Sequence, residues 1–309
     1  MASFNKLIDH NKHMSILLFG VMAVLFAFFG ASLGAYWGGD WLTGVIIAVA
    51  VAGLYFFISW RFGASMILAS SGAKEISHDE APQLWNVVEE LSIAGGMPMP
   101  KVYLIEDEAM NAFATGRDPQ HASVAITRGL LEKLNREELQ GVMAHEMSHV
   151  RNYDIRFAML MAVMVGSIVL LADVVRRSIF YSSLGGRRRS RDSRGGGQAQ
   201  AVLAIVAVIL SIIAPLLASI IQLAVSRQRE YLADASAVEL TRNPAGLISA
   251  LKKLTADTAE LKGASQGMQH LYIVNPLLKK KKGKDSLFST HPALSSRIER
   301  LEGLMGASA

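Results

Sequence analysis

The sequence predicts a multi-pass α-helical membrane protein that carries a mainly α, small-sheet α+β unit outside the bilayer. Of its 309 residues, 51% are hydrophobic and only 18% charged, and its mean hydropathy is positive, which is too apolar for an ordinary soluble chain. Long runs with little or no charge fall in two pairs, at 14–34 and 42–60 and at 157–175 and 201–225. Between and after these pairs the chain turns amphipathic, with helical spacing and short strand-like segments.

Residues 14–34 and 42–60 carry no charge, and each is long enough to cross a hydrocarbon core of about 30 Å. Lys6 and Lys12 precede the first run as they would in a signal peptide. That run is too long for a signal core, however, and a second span follows at once through Tyr36-Trp37-Gly38-Gly39-Asp40-Trp41, so an anchor is expected. The third run holds Asp173 near its end, and the fourth holds Gln222 and a Pro at 215 that is able to kink it. This pair reads either as two further spans or as a buried hydrophobic hairpin. The expected units are therefore 1–62, two spans; 63–156; 157–225, a hairpin interrupted by an Arg-rich loop at 176–200; and 226–309.

Within 63–156, residues 78–94 have an amphipathic helix pattern closed by Gly95-Gly96 and Met97-Pro98-Met99-Pro100. Strands are expected at 101–105, 111–114 and 122–127, then a short helix at 129–134. Asn135-Arg136-Glu137-Glu138 is an N-cap with a carboxylate at the third position, and Leu139, Val142, Met143, Met147 and Val150 follow at helical spacing. Beyond 226, helices are expected at 227–240, 244–256 and 295–304, with a basic loop at 279–284. The Arg-rich loop reads as solvated. Beyond Phe180 and Tyr181 it lacks the aromatic interleaving of a nucleic-acid binder, and anionic lipid head groups suit it better.

The helix that begins at Asn135 contains His145-Glu146-Met147-Ser148-His149. Side chains four apart share one helix face, so both imidazoles reach one metal ion, and Glu146 projects toward the position where water would be activated. A fortuitous His pair on a surface helix is the alternative. The chain has no cysteine, so a metal must be held by His and carboxylate, the donor set of catalytic zinc sites. A third protein ligand is required, and Glu230 at the foot of the fourth apolar run is the candidate. Asp234, one turn later, is placed to accept a hydrogen bond from the far nitrogen of a ligating His. Spacing alone equally allows an ordinary acidic pair on a solvated face.

Several motifs occur together in order: Pro98-Met99-Pro100-Lys101-Val102-Tyr103, Asn111-Ala112-Phe113-Ala114-Thr115-Gly116, Ala144-His145-Glu146-Met147-Ser148-His149-Val150, Glu230 to Asp234, and Ser289-Thr290-His291-Pro292. With the four apolar runs, they make nearly the whole chain resemble the HtpX family of membrane zinc metalloproteases, relatives of the CaaX prenyl endopeptidases. The resemblance implies a zincin-like catalytic domain built from 63–156 and 226–309. It also implies one Zn2+ per chain on His145, His149 and Glu230, with Asp234 behind them and Glu146 as general base. Asn111, Ala112, Phe113 and Ala114 would pair with substrate backbone by strand addition. A simple core or helical reading of these four residues stays open. His291 is implied as a stabiliser of the oxyanion, and a solvated helix-start turn is its alternative.

What such a protein is expected to do is hydrolyse peptide bonds of misfolded or damaged membrane proteins in a stress response, at the cytoplasmic (inner) membrane of a prokaryote. The alternatives are a processing protease for one membrane substrate, or an inactive zinc-bound scaffold. Its partners would be the bilayer, protein substrates and, compatibly, further copies of itself, but no nucleic acid. Lys6, Lys12, Arg61 and Lys74 flank the first two spans on one side, which puts the catalytic unit in the cytoplasm. Seven Arg between 176 and 200 conflict with that rule if the third and fourth runs both cross.

Overall fold

The computed structural model describes residues 40–164, 227–262, 268–274, 276 and 292–306, with scattered positions between 13 and 31 that are all helical. The third apolar run beyond 164, the Arg-rich loop, the fourth run, the basic loop and His291 lie outside the described residues.

Helix α1, Trp41–Ser70, is capped by Asp40, whose carboxylate accepts from the backbone N–H groups of Leu42 and Thr43 at 3.1 and 3.3 Å. Its 30 residues span about 45 Å, ample for a bilayer. Among the described residues it is the one helix long and apolar enough to cross a membrane. Ile46, Ile47, Leu54 and Phe57 stand roughly 60% exposed along it. The helix runs ten residues past the expected end at 60. The reason is that its last turns leave the apolar stripe and bury Gly63, Ile67 and Leu68 against the water-exposed unit.

That unit is built on a four-stranded mixed sheet in the order β1-β2-β4-β3, from β1 Lys74–Glu75, β2 Lys101–Ile105, β3 Ala112–Gly116 and β4 Ala122–Thr127. β1 pairs antiparallel with β2, β2 parallel with β4, and β3 antiparallel with β4. Helix α2, Pro82–Gly95, starts on Pro and stops at Gly96, whose φ of 61° is the left-handed conformation a helix end needs. It begins four residues later than the expected 78 because His78–Glu80 forms a separate 3-10 turn. A short α3, Arg128–Lys133, leads to α4, Arg136–Arg151. The Asn135–Glu138 capping box closes α4 at its start, with bonds of 2.9 and 2.8 Å. Then come α5 at 154–164, α6 Arg227–Thr241, α7 Pro244–Ala256 and α8 Leu294–Gly306.

Period-two alternation divides the sheet between two cores. Val102, Leu104, Ala112, Ala114, Val124 and Ile126 face α2, α4 and α7, with Leu84, Val88, Leu139, Val142, Met143 and Leu251. The opposite face, with Ile105, Phe113 and Ala125, packs on Ile67 and Leu68 of α1 and on Met159, Leu160 and Val163 of α5. The first residues of the expected third span are thus buried against α1 and the sheet, and the Tyr55 hydroxyl donates to Val163 O at 3.0 Å. Helices α4 and α7 cross at backbone contact, since a Cβ on Gly141 would lie 2.7 Å from Leu247 N. Buried Glu138 ties the same two helices, accepting from Ser249 Oγ and Lys253 Nζ at 2.7 Å each.

Candidate metal centre

α4 and α6 pack side by side, and their contact brings together residues more than eighty positions apart. His145 and His149, one turn apart on α4, approach to 3.3 Å between their Nε2 atoms. Glu230 of α6 places its carboxylate oxygens 3.5 Å from His145 Nε2 and 3.6 Å from His149 Nε2. The edge of a tetrahedron around zinc with 2.0–2.1 Å bonds is about 3.3 Å. Two imidazole nitrogens and a carboxylate at this spacing therefore fit a four-coordinate metal with one position left for water.

The far nitrogens are also spoken for. His145 Nδ1 lies 2.9 Å from Asp234 Oδ1, and His149 Nδ1 lies 2.9 Å from Asp154 Oδ2. Each Nδ1–H donates to a carboxylate, which leaves each Nε2 lone pair aimed at the shared point. Asp154 reaches back because α4 breaks at Tyr153, whose φ of 60° is the left-handed region that non-glycine residues avoid. Such a residue costs on the order of 1–3 kcal/mol and persists where the surroundings over-determine it. Here Arg156 lies over the Tyr153 ring at 5.0 Å and donates from Nε to Arg117 O.

Arg297 of α8 is fully buried behind this shell. It binds Asp234 through two bonds, Nε to Oδ2 at 2.9 Å and Nη2 to Oδ1 at 2.6 Å, and its Nη1 stands 3.8 Å from Glu230. On the other flank, Arg229 approaches Asp154 at 3.7 Å and covers the Phe157 ring. Burial and the charges packed around the site set its titration. Burial works against ionising Asp234, yet Arg297 and His145 hold it down at about 2. Burial likewise pulls His149 down, but Asp154 and Glu230 together lift it to about 9, so a metal ion bound at Nε2 would displace the proton held there in its absence. Glu146 is 2% exposed, and burial raises its pKa despite the two imidazoles beside it. That moves a carboxylate toward the range in which a general base works near neutral pH.

One cavity holds His145, Glu146, His149 and Glu230 together with Ala114 of β3 and the segment Leu271–Ile273. β3 is an edge strand of the described sheet, as strand addition to a peptide requires. It is also part of the core: Asn111, Ala112, Phe113 and Ala114 are all 5% exposed or less. Three features of this site had no distinguishing signal in the sequence. Asp154 looks like any acid after a helix, Arg297 like a charge on an amphipathic surface helix, and 268–274 has no periodicity at all.

The family model described as Peptidase family M48 matches residues 78–305. A protein named Protease HtpX homolog from Listeria monocytogenes serotype 4a is 46% identical over 297 residues, covering 95% of this chain and 97% of its own. A homolog of the same name from Ligilactobacillus salivarius is 43% identical over 295 residues, with 96% and 98% covered. In fold, the crystal structure of S. mikatae Ste24p is similar at a TM-score of 0.50 and 19% identity, over 96% of this chain and 67% of that one. A match from residue 78 to residue 305 takes in both the α4 and the α6 halves of the site, and the chain therefore belongs to peptidase family M48, as a metalloprotease.

Proposed function

We propose that the chain is a zinc-dependent, membrane-anchored endopeptidase that hydrolyses peptide bonds of misfolded or damaged membrane proteins. The observation that carries this reading is the convergence of His145, His149 and Glu230 at tetrahedral spacing in one cavity with buried Glu146. His145, His149 and Glu230 would hold the zinc ion, which would supply Lewis acidity toward water and a carbonyl.

The protein's own groups supply the rest. Glu146 takes a proton from the attacking water and delivers it to the leaving amine, and its raised pKa suits both halves of that transfer. Asp234 and Asp154 hold the two imidazoles in the tautomer that presents Nε2. Arg297 keeps Asp234 ionised and contributes positive charge beside Glu230. Ala114 offers edge-strand backbone to an extended peptide. His291 is assigned to the oxyanion in this reading, six positions before Arg297 in the chain.

The exposed apolar side chains of α1 support a membrane anchor, and the uncharged run at 14–34 supports a second span beside it. In this reading the units are 1–62, 63–156, 157–225 and 226–309, in a multi-pass protein of the cytoplasmic membrane. The catalytic unit faces the cytoplasm, on the side of Arg61 and Lys74. The test is Glu146→Gln in the full-length protein. It should keep its metal and its melting temperature and lose about 100-fold or more in hydrolysis of an unfolded membrane protein or a casein-like substrate. Retained turnover refutes the assignment, and a parent protein that binds zinc but cleaves neither substrate would be a scaffold.

A further inference from the structure

The edge strand beside the metal ligands is open over only part of its length. Asn111 O accepts from Thr127 N at 3.0 Å, so in the antiparallel pairing of β3 with β4 the backbone groups of residues 111, 113 and 115 face β4. Those of Ala112 and Ala114 face outward. Ala112 is already occupied: its carbonyl accepts from Ile273 N at 3.0 Å, and its N–H donates to Asn111 Oδ1 at 3.1 Å. The Asn111 side chain grips the next residue as well, donating to Val274 O at 2.9 Å and accepting from Val274 N at 3.3 Å. Ala114 has no outward backbone partner among the described residues, and it lines the cavity of the metal ligands.

The strap 268–274 is anchored along its length. His270 hydrogen-bonds to Ala158 O at 3.0 Å, and the Ser70 hydroxyl meets Met268 Sδ at 3.0 Å. Tyr272 is 1% exposed, with its ring edge-on to Phe113 at 5.1 Å, and Ile273 is 2% exposed. Lifting the strap would bring Leu271, Tyr272 and Ile273 into water, and the loss of that burial is a large share of what holds a domain folded. Its place against β3 is therefore that of a fixed wall.

We infer that the strap ends the substrate cleft on one side of the scissile bond: it takes the Asn111–Ala112 part of the β3 edge for itself and leaves Ala114 to the peptide. A substrate gains backbone pairing as it lengthens in one direction only, and in the other it meets the backbone of Leu271–Val274. The inference rests on the peptidase reading. It makes the enzyme sensitive to how much chain lies on one side of the cut, which favours cleavage near ends or at extruded loops.

The experiment uses full-length zinc-loaded protein and peptides lengthened one residue at a time on each side of a single cleavable bond. Each backbone pair gained should raise kcat/KM by about two- to tenfold on the open side, and lengthening on the strap side should change it by less than about twofold. Equal gains on both sides overturn the inference. Amide hydrogen exchange in the resting protein reads the strap independently of turnover. Ile273 N–H should exchange as slowly as the β4 amides, and exchange at loop rates overturns the wall even if no peptide is cleaved. If no peptide is cleaved and Ile273 is nevertheless protected, the peptidase reading fails while the strap stands.

Discussion

Substituting Asp154 with Ala removes the acceptor that fixes His149, without touching a metal ligand. The bond lost is charge-assisted, at 2.9 Å between His149 Nδ1 and the carboxylate. Such bonds contribute about 1.5–3 kcal/mol, and groups that orient metal-bound histidines typically account for 10–100-fold in metal affinity, or about 1.4–2.7 kcal/mol. The two estimates agree, so zinc affinity should fall by one to two powers of ten. A second cost comes from Arg229, which stands 3.7 Å from the same carboxylate with a side chain only 14% exposed. Loss of that partner should lower unfolding stability by about 1–2 kcal/mol, and Asp154→Asn, which retains an acceptor oxygen, should fall between. Competition with a chelator of known affinity reads the first effect, and the melting temperature of the metal-free protein reads the second. If the variant binds zinc within about twofold of the parent while folded, His149 is oriented by its packing, and the argument from Asp154 is wrong.

Arg297→Met leaves Asp234 ionised in a buried site with its strongest partner gone, and should destabilise the protein by about 3–5 kcal/mol. Adding Asp234→Leu should restore much of the melting temperature but not the metal affinity; a single variant as stable as the parent would contradict the pairing. Gly141→Ala drives a Cβ to 2.7 Å from Leu247 N, so α4 and α7 must separate, at about 1–3 kcal/mol, measurable by thermal melting. An unchanged melting temperature would show that the helix crossing yields. Against burial, which raises it, hydrogen bonds from Lys253, Ser249 and Asn135 hold the Glu138 pKa below its ordinary 4.5. Its contribution is therefore present above pH 4.5 and lost as pH falls through the lower folded-state value. Lys253 stays 44% exposed, so Glu138→Gln should cost about 1 kcal/mol at pH 7 and flatten the acid limb of the stability curve. An acid limb as steep as the parent's would assign that limb to other carboxylates.

Much of the site can be read in the chain because it is local. The Asn135 capping box, the apolar spacing of α4 and the two histidines four apart all lie within one helix, whose period fixes which side chains share a face. The strands at 101–105 and 122–127 show as β-rich runs between turn residues and occupy those same residues in the structure, while the one expected at 111–114 lies at 112–116. β1 escaped because two exposed residues carry no pattern. The end of α1 escaped because its last ten residues trade a lipid-facing stripe for contacts with a sheet that the sequence does not place beside it.

What is periodic and close in sequence is specified by backbone geometry, and the chain alone carries it: the apolar runs, the helix of His145 and His149, and Glu146 beside them as the proposed base. What joins distant segments depends on packing, which local pattern does not encode. Glu230 could be named, but its meeting with His149 comes from α6 lying along α4. Nothing in the chain distinguished Asp154, Arg297 or Ile273 from ordinary acidic, basic and apolar residues. Each acquires its part only when folding buries it beside a group whose charge or backbone it must satisfy, because the cost of leaving such a group unpaired exists only in the folded interior.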